Sequence, residues 1–261
     1  MEKDQIIILE NRGLISITGD DAKEYLQNII TNDINKVTKI NSIFAALLSP
    51  QGKYLFDFFV IKDDEGYLLD CDGNSVKELI VNLSKYKIRS KVEIRDLSSN
   101  YVVGVMNFHN FKIIQKELKK EETTLKYRES PVFVDPRDND LGARIISPLE
   151  KLYLTIKKLN LKIVENNSYI KKAFLKGIPV EGLGNLKEQL FGLEINFEKL
   201  NAIDFKKGCY VGQENTARMK IKNKIRRQLM SIKTEKNVKI GDEIKYNDSV
   251  IGRILIDEPY P

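Results

Sequence analysis

The chain has no tryptophan, one histidine and two cysteines in 261 residues. Each scarcity removes a class of function. Cys71 and Cys209 are too few for a disulfide framework and point to a reducing compartment. With the single His109 they cannot supply the four ligands of a structural zinc, nor hold a four-cysteine cluster, so no resident metal is expected. No apolar run approaches the roughly 18 residues of a membrane helix. The start, Met1-Glu-Lys-Asp-Gln, has the pattern of neither a signal peptide nor an arginine-rich transit peptide. The expectation is a cytoplasmic protein with no membrane partner.

What is present suits a folded body. Hydrophobic residues make up 42% and charged residues of mixed sign 31%, enough for one large core or two smaller ones. The net charge of +6 admits an anionic partner such as phosphate, polyglutamate or RNA. The lysines are not interleaved with aromatics, so nucleic acid is the weakest of these expectations.

Hydrophobic periodicity divides the chain. Ile6, Ile8 and then Gly13 to Ile17 read as two short strands around a turn at Asn11-Arg12-Gly13. Ala22, Tyr25, Leu26, Ile29 and Ile30 follow a helical period. Ile43 to Leu48 and Tyr54 to Ile61 form a hairpin about Ser49-Pro50-Gln51-Gly52, followed by a strand from Tyr67 to Cys71. A helix over Val76 to Leu83 and strands at 92–95 and 101–106 close a first subdomain, residues 1–110. A second α+β subdomain, 111–222, contains a helix opened by a capping box, Ser147-Pro148-Leu149-Glu150, with Leu149, Leu152, Tyr153 and Ile156 as its buried stripe. Residues 223–261 read as a small β-barrel-like module with strands at 226–232, 243–246 and 250–256, too few to close a barrel.

One stretch stands out chemically. Lys206-Lys-Gly-Cys-Tyr-Val-Gly-Gln-Glu214 sets a cysteine in a glycine-flanked, lysine-preceded turn. Lys206, Lys207 and Arg218 would favour thiolate over thiol. Gly208 and Gly212 allow close approach, and a helix starting near Gly212 would add its dipole. Cys209 is the candidate reactive thiol with Lys207 as its catalytic partner; Gly208, Tyr210, Gly212, Gln213, Glu214 and Arg218 are read as support. Cys71, within a strand, is expected to pack, and His109 to lie at the surface or cap a helix.

The octapeptide beginning at Lys207 resembles the signature of the YgfZ-type family, relatives of the glycine-cleavage T-protein implicated in iron–sulfur protein maturation. Gln27-Asn-Ile-Ile-Thr-Asn-Asp, Leu48-Ser-Pro-Gln-Gly-Lys-Tyr-Leu-Phe-Asp, Tyr86-Lys-Ile-Arg, Asp135-Pro-Arg, Leu141-Gly-Ala-Arg and Gly177-Ile-Pro extend that resemblance over nearly the whole chain. It implies a folate-binding α+β fold of T-protein type with a carboxy-terminal β-barrel, and tetrahydrofolate as cofactor. On this resemblance Asp57 and Arg144 are the folate-binding candidates. An aspartate in the aromatic strand Phe56-Asp57-Phe58-Phe59 is costly to bury unpaired, which independently suggests that it faces a ligand. Arg144 could hold either a folate glutamate tail or a surface carboxylate.

Two departures stand against the family pattern. The paired acids of the T-protein strand are reduced to Asp57, and Ala173 stands where the family commonly carries an arginine. The functional expectation is a folate-binding accessory factor for assembly or repair of iron–sulfur proteins, whose machinery or clients are its partners. The alternatives are a folate-dependent aminomethyl or one-carbon transferase and an RNA-associated module of tRNA modification.

Overall fold

A computed structural model describes residues 2–223 and 225–257. Two antiparallel-rich sheets lie face to face with helices on both outer faces. The five-stranded sheet contains β2 (Arg12–Thr18), β3 (Ile43–Leu48), β4 (Tyr54–Lys62), β5 (Gly66–Asp72) and β6 (Glu93–Asp96), in the order β3-β4-β5-β2-β6. The six-stranded sheet contains β1 (Gln5–Leu9), β7 (Val102–Met106), β8 (Thr124–Tyr127), β9 (Ser130–Val134), β10 (Ala143–Ser147) and β11 (Lys162–Ile163), in the order β11-β1-β7-β10-β9-β8. The first two strands, adjacent in sequence, do not pair: they enter different sheets. The six-stranded sheet thus draws strands from both sides of residue 110.

Strand alternation explains the layering, because successive side chains point to opposite faces. In β4, Phe59 and Ile61 enter the core between the sheets, while Phe58 and Val60 face outward. In β1, Ile7 points in and Ile6 out. The outer face of the five-stranded sheet is covered by α1 (Ala22–Ile29) and α2 (Val76–Lys85). That of the six-stranded sheet is covered by α3 (Phe108–Leu118) and α4 (Leu149–Lys158). α5 (Asn167–Leu175) and the irregular run 183–203 complete the inter-sheet core, where Phe197 packs edge-on to Phe44 and Tyr54.

Several sequence expectations change. α4 begins after Pro148 with no side-chain cap; Ser147 instead bonds the Pro148 carbonyl and Ser130. Its stripe is half as wide as expected: Leu152 and Ile156 are buried, but Leu149 is 45% and Tyr153 50% exposed. Residues 225–232 form no strand. Among the described residues the carboxy-terminal region holds only β12 (Glu243–Tyr246) paired with β13 (Ser249–Arg253), and no closed barrel. α6 (Gln213–Ile221) follows the cysteine turn, as expected. No helix among the described residues is long and apolar enough to cross a membrane.

Candidate functional site

Strand alternation also sends charge inward. In β2, Arg12 and Leu14 share the inner face; in β5, Leu68, Asp70 and Asp72; in β10, Arg144 and Ile146. Of these, Arg12, Asp72 and Arg144 reach the wall of a cavity of about 1080 Å³, to which Asp57, Arg137 and Tyr169 also contribute. Leu149 and Tyr153, the exposed half of the α4 stripe, line this cavity too. Ala173 is fully buried in the inter-sheet core and does not line it.

A bulge sets the position of Asp57. Leu47 pairs with Phe56 but Leu48 with Tyr54, leaving Leu55 as the extra residue. Simple alternation would turn Tyr54 away from Asp57; the bulge returns both to the inner face. The Tyr54 hydroxyl then donates to Asp57 Oδ1 at 2.7 Å. Burial raises the Asp57 pKa above the ordinary carboxylate range, against the opposing pull of Tyr54, Arg12 and Arg137. Burial also raises the Tyr54 phenol, with Asp57 adding to the effect.

Three guanidinium groups surround the Phe59 ring, with Arg144, Arg137 and Arg12 at 4.4, 4.8 and 5.9 Å from its centroid. Asp70 serves two of them: Oδ1 accepts from Arg12 Nε at 2.6 Å and Oδ2 from Arg144 Nε at 2.9 Å. Burial opposes the Asp70 charge, but Arg12 and Arg144 outweigh it and hold the carboxyl below its ordinary range. Arg137 pairs with Asp135 at 2.7 Å and donates to the Tyr169 hydroxyl at 3.3 Å. Arg144 Nη1 reaches the same hydroxyl at 3.3 Å. Arg144 is 2% exposed, yet its Nη2 has no partner among the described residues. A buried, charged donor left unbonded costs about 1–3 kcal/mol or more.

The sequence reading named Asp57 and Arg144, and the structure brings both to one cavity. It missed Tyr54, Tyr169 and Arg137 as wall residues, and placed Arg12 in a turn when it opens β2. The available signal was alternation: Arg12 is two residues from Leu14, and Asp70 two from Leu68.

Cys209 lies elsewhere. It is exposed and lines neither this cavity nor a second, apolar one of about 740 Å³ beside the carboxy-terminal hairpin. Its loop is secured at both ends. The Lys207 ammonium donates to the carbonyls of Gln27, Ile30 and Asn32 at 2.7, 2.5 and 3.1 Å, closing the carboxy end of α1. Burial pulls the Lys207 pKa down to about 8, with Asp33 and Asp204 opposing. The ammonium expected to activate the thiol is therefore committed to backbone carbonyls. At the other end Gly212 has φ +82°, and a Cβ there would stand 2.4 Å from the Ser49 carbonyl and 3.0 Å from Gly52 Cα. Asn215 Nδ2, in α6, bonds the Gln51 carbonyl at 2.8 Å.

Tyr210 packs on the inter-sheet core, and burial raises its phenol to about 12. Gly208 is open: a Cβ there would meet nothing within 4 Å. Gln213 N bonds the Tyr210 carbonyl at 3.2 Å, whereas Glu214 and Arg218 pair with each other on the exposed side of α6 at 3.0 Å. Cys71 is buried among the outer-layer residues, its thiol raised by burial to about 12. His109 is exposed in the first turn of α3, where Asn107 caps the helix by accepting from its backbone N–H.

No family model matches the chain. Over 91% of its length it is 28% identical to a protein of Dictyostelium discoideum named a mitochondrial iron–sulfur cluster assembly factor IBA57 homolog. It is 30% identical over 226 residues, 85% of its length, to the IBA57 homolog of Pyricularia oryzae. The chain spans 65% and 55% of those two relatives. Their names place them in the mitochondrion, which contradicts the cytoplasmic expectation. Among solved structures, the glycine cleavage system aminomethyltransferase T of Bartonella henselae superposes with a TM-score of 0.65 at 13% identity, covering 84% of this chain and 63% of that one. At that identity the likeness concerns the fold. The homologues of this chain are thus iron–sulfur cluster assembly factors of the IBA57 type, YgfZ-like proteins, and its fold is that of the glycine-cleavage T-protein.

Proposed function

We propose that this chain is an accessory factor in the assembly or repair of iron–sulfur proteins, that it binds a tetrahydrofolate-type cofactor between its two sheets, and that Cys209 is its working thiol. The observation that carries the cofactor reading is a cavity large enough for a drug-sized ligand, with Tyr54, Asp57, Phe59, Arg144 and Tyr169 on its wall. Asp57, Arg144 and Tyr169 would hold the group, which would supply a one-carbon carrier; the chain's own part is to bind and orient it. The homologues' names support the assembly role, and the exposure of Cys209 on a secured loop supports a thiol presented to a partner protein. A transferase reading draws on the fold alone and is the weaker one.

The test is complementation of a strain lacking its own relative. Wild-type protein should restore the activities of cluster-dependent enzymes, and Cys209→Ala should not. Full rescue by Cys209→Ala would remove the thiol from the proposal; tetrahydrofolate failing to bind in calorimetry would remove the cofactor.

A further inference from the structure

The positive charge of the chain is concentrated around one turn. Residues 206–227 hold eight lysines and arginines against one acid, Glu214, whereas the rest of the chain carries 35 basic and 36 acidic residues. The net charge of +6 therefore sits on the cysteine turn, α6 and the residues just after it. Lys207 is committed to backbone carbonyls, and Arg218, Lys220 and Arg227 pair with Glu214, Glu198 and Glu194. Lys206 and Lys222 are exposed and form no ion pair among the described residues. Asp204, the acid just before the turn, is taken by Lys36. α6 has little hold on the core, with only Thr216 buried. Arg218, Ile221 and Lys222 share one outward face by helical spacing, and Ile221 is 84% exposed. Lys220 Nζ lies 5.7 Å from the Phe205 ring centroid, which brings this half of α6 beside Lys206 and the cysteine turn.

We propose that Lys206, Arg218, Ile221 and Lys222 form a docking face for an acidic surface of a partner protein, which this face holds against the Cys209 thiol. The inference rests on reading Cys209 as the working thiol and names the kind of partner brought to it. Cations gathered on one face attract an acidic surface and speed its encounter by about 10–10³. The exposed Arg218–Glu214 pair is weakly held, so Arg218 can exchange Glu214 for an acid of the partner. Ile221 supplies an apolar anchor, which a merely solvated run of charge lacks. Nucleic acid fits less well. Phe205 has the Lys220 ammonium over its ring and Tyr210 packs on the core, so neither ring is free to stack on a base.

Mixed-disulfide formation tests the face. The probe is a short peptide of glutamate and leucine whose terminal cysteine is joined to thionitrobenzoate through a disulfide; the control has glutamine at every glutamate. The Cys209 thiolate attacks the peptide sulfur, the probe's S–S bond breaks, and the thionitrobenzoate anion leaves and is read by its absorbance. Cys71 is buried, and Cys209→Ala gives the blank. In dilute buffer the acidic probe should react about tenfold faster than the control. The ratio should fall towards one in about 1 M salt, which screens charge beyond about 3 Å. Lys206→Glu with Lys222→Glu should abolish the preference. Lys157→Glu with Lys158→Glu, an equal change of charge on exposed positions of α4, should leave it within about twofold. Ile221→Ser should slow both probes. Equal rates for the two probes, or equal losses from the two charge variants, overturn the docking face. So does a single-stranded RNA of the same charge that slows the acidic probe more than a cysteine-free acidic peptide does. Rescue of the deficient strain by Cys209→Ala, with the preference intact, would sink the working-thiol reading and leave the face standing.

Discussion

Replacing Lys207 with methionine separates two roles that the sequence alone assigns to one residue. As an activating charge, Lys207 would act on the thiol of Cys209. As a dock, it ties the loop to the end of α1. The structure favours the second, since all three ammonium protons are directed to the carbonyls of Gln27, Ile30 and Asn32. A hydrogen bond from a charged donor is worth about 1.5–3 kcal/mol. Water can replace part of this set because the loop is half-open, so the net loss should be about 3 kcal/mol rather than the threefold sum. For a chain of this size each kcal/mol moves Tm by roughly 2–4 °C, a fall of about 6–12 °C. Thermal melts followed by circular dichroism measure it. Alkylation of Cys209 by iodoacetamide, followed by mass spectrometry, reads the other role and should change less than about twofold. Lys207→Arg should not restore the loss, because a planar fork cannot reproduce a compact ammonium among three carbonyls. An unchanged Tm with a tenfold slower alkylation would refute the docking argument.

Other consequences follow from the same geometry. Gly212→Ala must hold a left-handed backbone against the Ser49 carbonyl and should cost about 1–3 kcal/mol or more, whereas Gly208→Ala, before α6 and in open space, should stay within about 0.5 kcal/mol; urea unfolding compares them. Asp70→Asn leaves Arg12 and Arg144 without their shared counter-charge and should cost about 3–5 kcal/mol by the same assay. Asp57→Asn keeps an acceptor for Tyr54 and should raise stability at neutral pH. The sign follows from the raised pKa: the folded protein holds a proton on Asp57 that the unfolded chain releases above the ordinary carboxylate value, so stability falls as pH climbs through that window. The variant's advantage should vanish in melts near pH 4, and a variant less stable than wild type at pH 7 would count against it.

Much of the architecture was readable because it rests on local rules. Tyr54 to Lys62 alternates strongly enough to specify a strand with two buried faces, and the helical stripe of Ala22, Tyr25, Leu26 and Ile29 is fully buried as expected. The α4 stripe was overread because period alone does not say what lies opposite a side chain. Leu149 and Tyr153 keep the helical spacing but face a cavity. Residues 226–232 were overread as strand for a related reason: an apolar run becomes a strand only when a neighbour offers its backbone groups.

The sequence by itself determined which residues alternate inward, so Asp57, Asp70, Arg12 and Arg144 had to share the inter-sheet space once two sheets faced each other. It also set the octapeptide apart through its glycines and its cysteine. Only the tertiary structure decided the rest. The bulge at Leu55 turns Tyr54 onto Asp57, Asp70 divides its two oxygens between Arg12 and Arg144, and the α1 carbonyls claim Lys207. The Asp70 and Lys207 contacts span 58 to 180 residues of chain. Spacing along a sequence cannot encode them, because they exist only where separate elements are brought together.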